Sequence, residues 1–184
     1  MAITLKMKKE DYEKILAHCQ AGLPNESCGL LAGDIDGEVK SITEVYLLTN
    51  IDASNEHFSM DPKEQLAAVK DARAKGKKLI GNFHSHPESP SRPSEEDKRL
   101  AYDSKVYYLI LSLMDIENPV LNAFIIDEEK NVVCTCGEKN AFRMVAHFDF
   151  PDKALTNYKC MNCGNVIETV VERLSLIHIS EPTR

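Results

Sequence analysis

The chain has 184 residues, 43% of them hydrophobic and 28% charged, and carries a formal net charge of -7. That suits one ordinary hydrophobic core with a small appendage. The acidic balance argues against broad binding to nucleic acid or to an anionic membrane, because both draw on a basic surface. No apolar run approaches the roughly 18 residues needed to span a bilayer. The N-terminal MAITLKMKKEDYEKIL has no apolar stretch ahead of a small-residue cleavage site, so a cytoplasmic protein is expected. In that reducing compartment the six cysteines are expected as thiols or metal ligands rather than disulfides.

Residues 8–21 predict a helix, with Tyr12, Ile15, Leu16 and Cys19 on one apolar face. Gly22 is expected as a left-handed cap, and Pro24 prevents resumption. CGLLAG (28–33) reads as a buried strand, DIDGE (34–38) as a turn, and VKSITEVYLLTN (39–50) as the second arm of a hairpin. Asp61, Pro62 and Glu64 form the start of a second helix, an Asp-x-x-Glu capping box with proline at the first position, running to Lys75 and stopping at Gly76. KKLIGNFHS (77–85) predicts a strand, and SEEDKRLAY (94–102) predicts a third helix behind Pro93. VYYLILSL (106–113) and VLNAFIID (120–127) predict strands too apolar for an open surface, with VVCTC (132–136) as a last short one. The order α-β-β-α-β-α-β-β-β is most simply packed as an α/β fold, a mixed sheet with helices on its faces. From about residue 137 the periodicity weakens, and the stretch reads as a separate module or extension.

The chemistry concentrates in NFHSHPESPSRPSEED (82–97). His84 and His86, two apart on a strand, project from one face at its C-terminal end. Neutral imidazoles suit Zn²⁺, a catalytic site wants three protein ligands and an open position, and a carboxylate is a usual third ligand. Asp97 lies in the first turn of the next helix, where a tight loop can return it to the strand end. Ser94 with acids in the first turn also makes an ordinary helix start, which accounts for Ser94 and Asp97 without any metal but not for the two histidines. Glu26, just before an apolar run, fits a general base whose pKa is raised by burial, although a solitary loop acid is usually just solvated.

Glu26, then His84-Ser85-His86-Pro87, six residues, Ser94, two residues and Asp97 resembles the JAMM motif of the MPN-domain metallopeptidases. PNESCGLLAG (24–33) and HFSMDPKEQ (57–65) are similar to the stand-alone prokaryotic branch, and the likeness covers roughly residues 3–133. The resemblance implies an MPN (JAB) fold, a cytidine-deaminase-like mixed sheet sandwiched by helices. It implies one catalytic Zn²⁺ held by His84, His86 and Asp97 with a water as fourth ligand, Glu26 as general base and later proton donor, and Ser94 as donor to the developing oxyanion. A hydroxyl that accepts as a helix cap still has its proton to give, so both roles of Ser94 are compatible at this stage. The implied reaction is hydrolysis of an amide or isopeptide bond after a C-terminal glycine. The implied partners are ubiquitin-like or sulfur-carrier proteins and their conjugates. Alternatives are a zinc hydrolase or deaminase of another small substrate, and a non-catalytic MPN binding module, although the complete motif speaks against the last.

Cys28, close to Glu26, is expected as a buried structural thiol rather than a nucleophile. Cys134-x-Cys136 and Cys160-x-x-Cys163 are candidates for a second, structural zinc; alternatively the Cys160/Cys163 knuckle lacks its partner pair and Cys134 and Cys136 are strand-end thiols. His18, His57 and His147 are expected to be ordinary surface or half-buried residues. LSLIHISEPTR (174–184) resembles translated adapter DNA and carries no functional argument. The expected organisation is a metallopeptidase domain over 1–136, a small Cys-containing extension over 137–173 and a non-native tail over 174–184.

Overall fold

The computed structural model describes residues 4–132, 142–149, 153–160 and 166–172. In chain order the elements are β1 (Thr4–Lys8), α1 (Lys9–Gly22), β2 (Cys28–Asp36), β3 (Val39–Leu48), α2 (Pro62–Ala74) and β4 (Lys78–His86). They continue with α3 (Glu95–Leu100), β5 (Tyr107–Ser112), β6 (Val120–Phe124), β7 (Phe142–Asp149), β8 (Lys153–Cys160) and β9 (Val166–Glu172). The strands form one sheet in the order β6-β5-β4-β2-β3-β1-β9-β8-β7. It is mixed: β4 runs parallel to β5 and β1 parallel to β3 and β9, and the other neighbours are antiparallel. Ile15 and Cys19 of α1 bury one face with Leu31, Phe83 and Leu109, while Ala68 of α2 packs with Leu30 and Leu48 on the other. This is the expected mixed sheet between helices. No described helix is long and apolar enough to cross a membrane.

The apolar stripe of α1 is the one the sequence predicts. Its terminus differs. Gly22 closes the helix without a left-handed backbone, and the chain leaves through extended Leu23 and a cis Leu23–Pro24 bond. The glycine is needed for space instead, since a Cβ there would collide with Ser27 Oγ. The Asp36-Gly37 turn joins β2 to β3 as expected, with Gly37 at φ 56°. At α2, Asp61 accepts from the backbone N–H groups of Lys63 and Glu64, with Pro62 at the first position. The expected capping box is only half formed. Glu64 turns away to accept from Thr49, at 2.7 Å from its N–H and 3.0 Å from its hydroxyl, and so ties the helix start to the end of β3.

β1 is absent from the sequence reading. Five residues give a weak signal, although Leu5 and Met7 alternate inward as a strand requires. Of VVCTC, Val132 makes an isolated bridge with Ile126; Val133 to Cys136 lie outside the described residues, as does the 174–184 tail. The backbone of β7–β9, which weak periodicity left without assigned strands, continues the sheet beyond β1. Cys163 also falls outside the described residues, and Cys160 ends β8. Cys19 and Cys28 are free and buried.

β4 lies between β2 and β5, and its alternation matters most for function. Phe83 goes to the α1 side and is fully buried, whereas His84 and His86 emerge on the face of α2 and α3. Phe83→Ala leaves a large cavity under the site. It should cost about 3–5 kcal/mol, measured by chemical denaturation.

Candidate metal centre

The β4 register fixes the site. Cys28 of β2 stands opposite His84. One step further, Ser85 N donates to Ser27 O at 2.9 Å and Ser27 N donates to Ser85 Oγ at 2.8 Å. These bonds carry the pairing past the last ladder residue, so Glu26 falls opposite His86, and directly opposed residues share a face. Glu26 is 5% exposed, with Oε1 3.9 Å from His86 Nε2. Its backbone is held by Glu26 N donating to Ser54 O and by Asn50 Nδ2 donating to Glu26 O.

His84 and His86 are both buried, with their Nε2 atoms 3.0 Å apart. The ring of His84 stacks on Phe58 at 4.7 Å. His86 Nδ1 lies 3.1 Å from Pro90 O. A carbonyl can only accept, so the proton sits on Nδ1 and the Nε2 lone pair faces the centre. Asp97 completes the group: Oδ1 is 3.1 Å from His84 Nε2 and Oδ2 is 3.3 Å from His86 Nε2. The three offer ligand atoms within 4.8 Å of one another. Lone pairs converging at such distances are stable only around a proton or a cation. Two imidazoles and one carboxylate form a donor set that suits a tetrahedral divalent ion with one free position.

Asp97 reaches this place because it is also a cap. Ser94 Oγ accepts from Asp97 N at 3.0 Å, and Asp97 Oδ2 accepts from Ser94 N at 2.7 Å, a complete capping box at the start of α3. Ser94 Oγ also donates to Asp97 Oδ2 at 2.7 Å. The hydroxyl proton expected to be free is therefore engaged here, and it reaches a substrate oxygen only by leaving Asp97.

The electrostatics follow from this packing. Burial raises the Glu26 carboxyl to about 8, with Asp97 adding to the rise and His86 opposing it. Burial resists charge on Asp97, yet hydrogen bonds with His84, His86 and Ser94 outweigh it and hold the carboxyl well below the usual range. Burial lowers His84 against the pull of Asp97. Burial also resists charge on His86, but Asp97, Pro90 O and Glu26 prevail and its pKa is raised. Burial pushes the Cys28 thiol up to about 12, so it is not a nucleophile at neutral pH and fits the buried structural role.

The loop between His86 and α3 is fastened to the neighbouring strands. Ser91 Oγ donates to Ile110 O at 2.6 Å, Ser112 Oγ to Ser89 O at 2.7 Å and Asn122 Nδ2 to Ser91 O at 2.9 Å. These contacts set both the Pro90 carbonyl and the approach to α3. The sequence reading missed Phe58, Ser91, Ser112 and Asn122, because each acts across the sheet or between loops. The structure brings together Glu26, His84, His86, Ser94 and Asp97. His18 Nε2 meets Cys28 O at 3.3 Å, and His57 Nδ1 meets Ser54 Oγ at 3.1 Å in an exposed loop.

Residues 8–126 match a family model described as prokaryotic homologs of the JAB domain. The chain is 32% identical over 113 residues to the desampylase of Haloferax volcanii, covering 59% of this chain and 80% of that protein. It is 26% identical over 125 residues to the CysO-cysteine peptidase of Mycobacterium tuberculosis, covering 65% and 84%. Among solved structures, a Desulfitobacterium hafniense protein determined in solution matches at 52% identity and a TM-score of 0.63, covering 68% of this chain and 86% of that one.

Ser91→Ala should cost about 1–2 kcal/mol, read by denaturant unfolding, because it removes a buried hydrogen bond. The same variant should speed amide exchange in residues 88–93 more than in β4, as measured by hydrogen-exchange mass spectrometry.

Proposed function

From the chain's membership of the family of prokaryotic JAB-domain homologs, we propose that it is a zinc-dependent hydrolase. It cleaves an amide or isopeptide bond after the C-terminal glycine of a ubiquitin-like or sulfur-carrier protein. The observation that carries this reading is the approach of His84, His86 and Asp97 to within ligand distance of one another, with buried Glu26 3.9 Å from His86. The named relatives, a desampylase and a CysO-cysteine peptidase, support the substrate class.

His84 Nε2, His86 Nε2 and an Asp97 carboxylate oxygen would hold the zinc. When bound, the ion supplies Lewis acidity toward a water and the substrate carbonyl. The protein's own part is proton handling and placement. Glu26 takes the proton released as water attacks and returns it to the departing nitrogen, a task suited to a carboxyl whose pKa lies well above that of an exposed one. The Pro90 carbonyl holds His86 in the tautomer whose Nε2 faces the centre. Phe58 covers His84 and keeps its ring in one plane. Ser94 steadies Asp97 and offers a hydroxyl to the oxygen that gains charge, once it exchanges its bond to Asp97 for one to substrate.

Incubation with Gly-Gly-ended carrier proteins bearing C-terminal extensions, read by mass spectrometry, tests the reaction. Cleavage should fall immediately after the second glycine. Purified protein should carry about one zinc per site by elemental analysis, and chelation should abolish cleavage. Glu26→Gln should lower kcat by about 10²–10⁴-fold while keeping its zinc. His86→Ala should lose both zinc and activity. A Glu26→Gln protein that purifies without zinc would refute the assignment of this residue to proton transfer rather than ligation.

A further inference from the structure

A cleft of about 300 Å³ opens beside the ligand triad, with His84 and Asp97 among its lining residues. Phe58 and Met60 line it from the segment before α2, Leu100 from α3, Tyr102 from the connection after α3, and Tyr108 from β5. These surfaces are mainly apolar. One polar group among them stands out. Asn82 lies two residues before His84 on the same face of β4, half-buried, and its Oδ1 is buried with no hydrogen-bond partner among the described residues. Tyr108, paired with Asn82 across β4 and β5, does not help. Its hydroxyl donates to Asp103 O at 2.9 Å and accepts from Asp103 N at 3.1 Å. An unpaired buried amide oxygen is costly, and such groups in a cleft mark a place where a ligand supplies the missing donor.

The direction of the substrate follows from Glu26. That carboxylate stands opposite His86, at the end of the site away from Asn82. The nitrogen that receives its proton therefore departs on the His86 side. The acyl portion of the substrate then extends over His84 toward Asn82 and into the cleft. Extended chains advance about 3.3–3.4 Å per residue, so two strand positions and two substrate residues cover the same distance. A substrate whose scissile carbonyl sits at the triad brings the N–H of its penultimate residue to the level of Asn82.

On the hydrolase reading above, we propose that Asn82 is a specificity-determining residue whose side-chain Oδ1 accepts the backbone N–H of the residue penultimate to the scissile bond. The soft χ2 torsion of asparagine lets the amide turn from the cleft wall to meet it. The contact reads main chain rather than side chain. It selects an extended tail with a free N–H at that position and rejects one carrying proline or an N-alkylated residue there.

The test uses a reporter peptide ending in Gly-Gly joined to a lysine ε-amino group, plain or N-methylated at the penultimate glycine. Zinc-replete wild-type protein and Asn82→Ala are compared. KM is measured for cleavage, and Kd for the corresponding Gly-Gly product peptide is measured by calorimetry. In the wild type, N-methylation should raise both about tenfold, the loss of one buried hydrogen bond, with kcat changed less than about twofold. Asn82→Ala should show that rise already with the plain peptide and little more with the methylated one, at unchanged zinc content. Wild type indifferent to N-methylation overturns the proposal without any variant having to fold. So does a variant that still loses the full factor on methylation, since methylation then acts elsewhere. Wild type that cleaves neither peptide overturns the hydrolase reading and this assignment with it.

Discussion

The pair of hydrogen bonds between Ser27 and Ser85 decides where everything else in the site can be. A slip of one residue between β2 and β4 would turn Glu26 to the α1 face and leave His86 opposite Asn25 or Ser27 instead. The Ser85 hydroxyl fixes the register by accepting a backbone N–H from the partner strand at the point where the regular ladder ends. Because Glu26 is then enclosed, its carboxyl binds a proton far more readily than an exposed acid. Register thus becomes acid–base chemistry: a pairing that costs little to describe sets the proton affinity of the group opposite His86.

The carboxylate of Asp97 is under a second constraint. One side chain accepts the backbone N–H of Ser94 at the start of α3 and also faces two imidazoles. The two tasks draw on the same charge. A helix start needs an acceptor, and a cation among three lone pairs needs an anion. Glutamate would serve the cap as well, since capping boxes commonly use it, but its extra methylene would carry the oxygens away from His84 and His86. The fold therefore accepts more than one acid at position 97, whereas the site accepts one.

Much of this was legible in the sequence for local reasons. Helical spacing marked α1, the Asp36-Gly37 turn marked the hairpin, and Asp61-Pro62 and Pro93-Ser94 marked two helix starts. The spacing from His84 to Asp97, with Glu26 upstream, revealed the site before any geometry did, because period-2 strands and helix caps orient side chains predictably. What escaped depended on contacts between distant segments. Glu64 prefers Thr49 to its own helix end. Gly22 is required by the closeness of Ser27 rather than by backbone twist. β1 gains its place from β3 and β9 rather than from its own five residues. Ser91, Ser112 and Asn122 read as unremarkable polar residues until the loop is seen laid against β5 and β6.

That laid-down loop bears on when the protein can act. Glu26 and Asp97 are far apart along the chain, and the segment bearing His86 and the cap is fastened to Ile110 and Ser112 of β5, which run parallel to β4. Parallel strands need a crossover between them, so loop closure comes before the contacts that reward it. A chain still leaving the ribosome cannot assemble the site until β5 has emerged and docked. Glu26, His86 and Asp97 are therefore not all placed until β5 is docked, so the site is a property of three paired strands rather than of its motif alone.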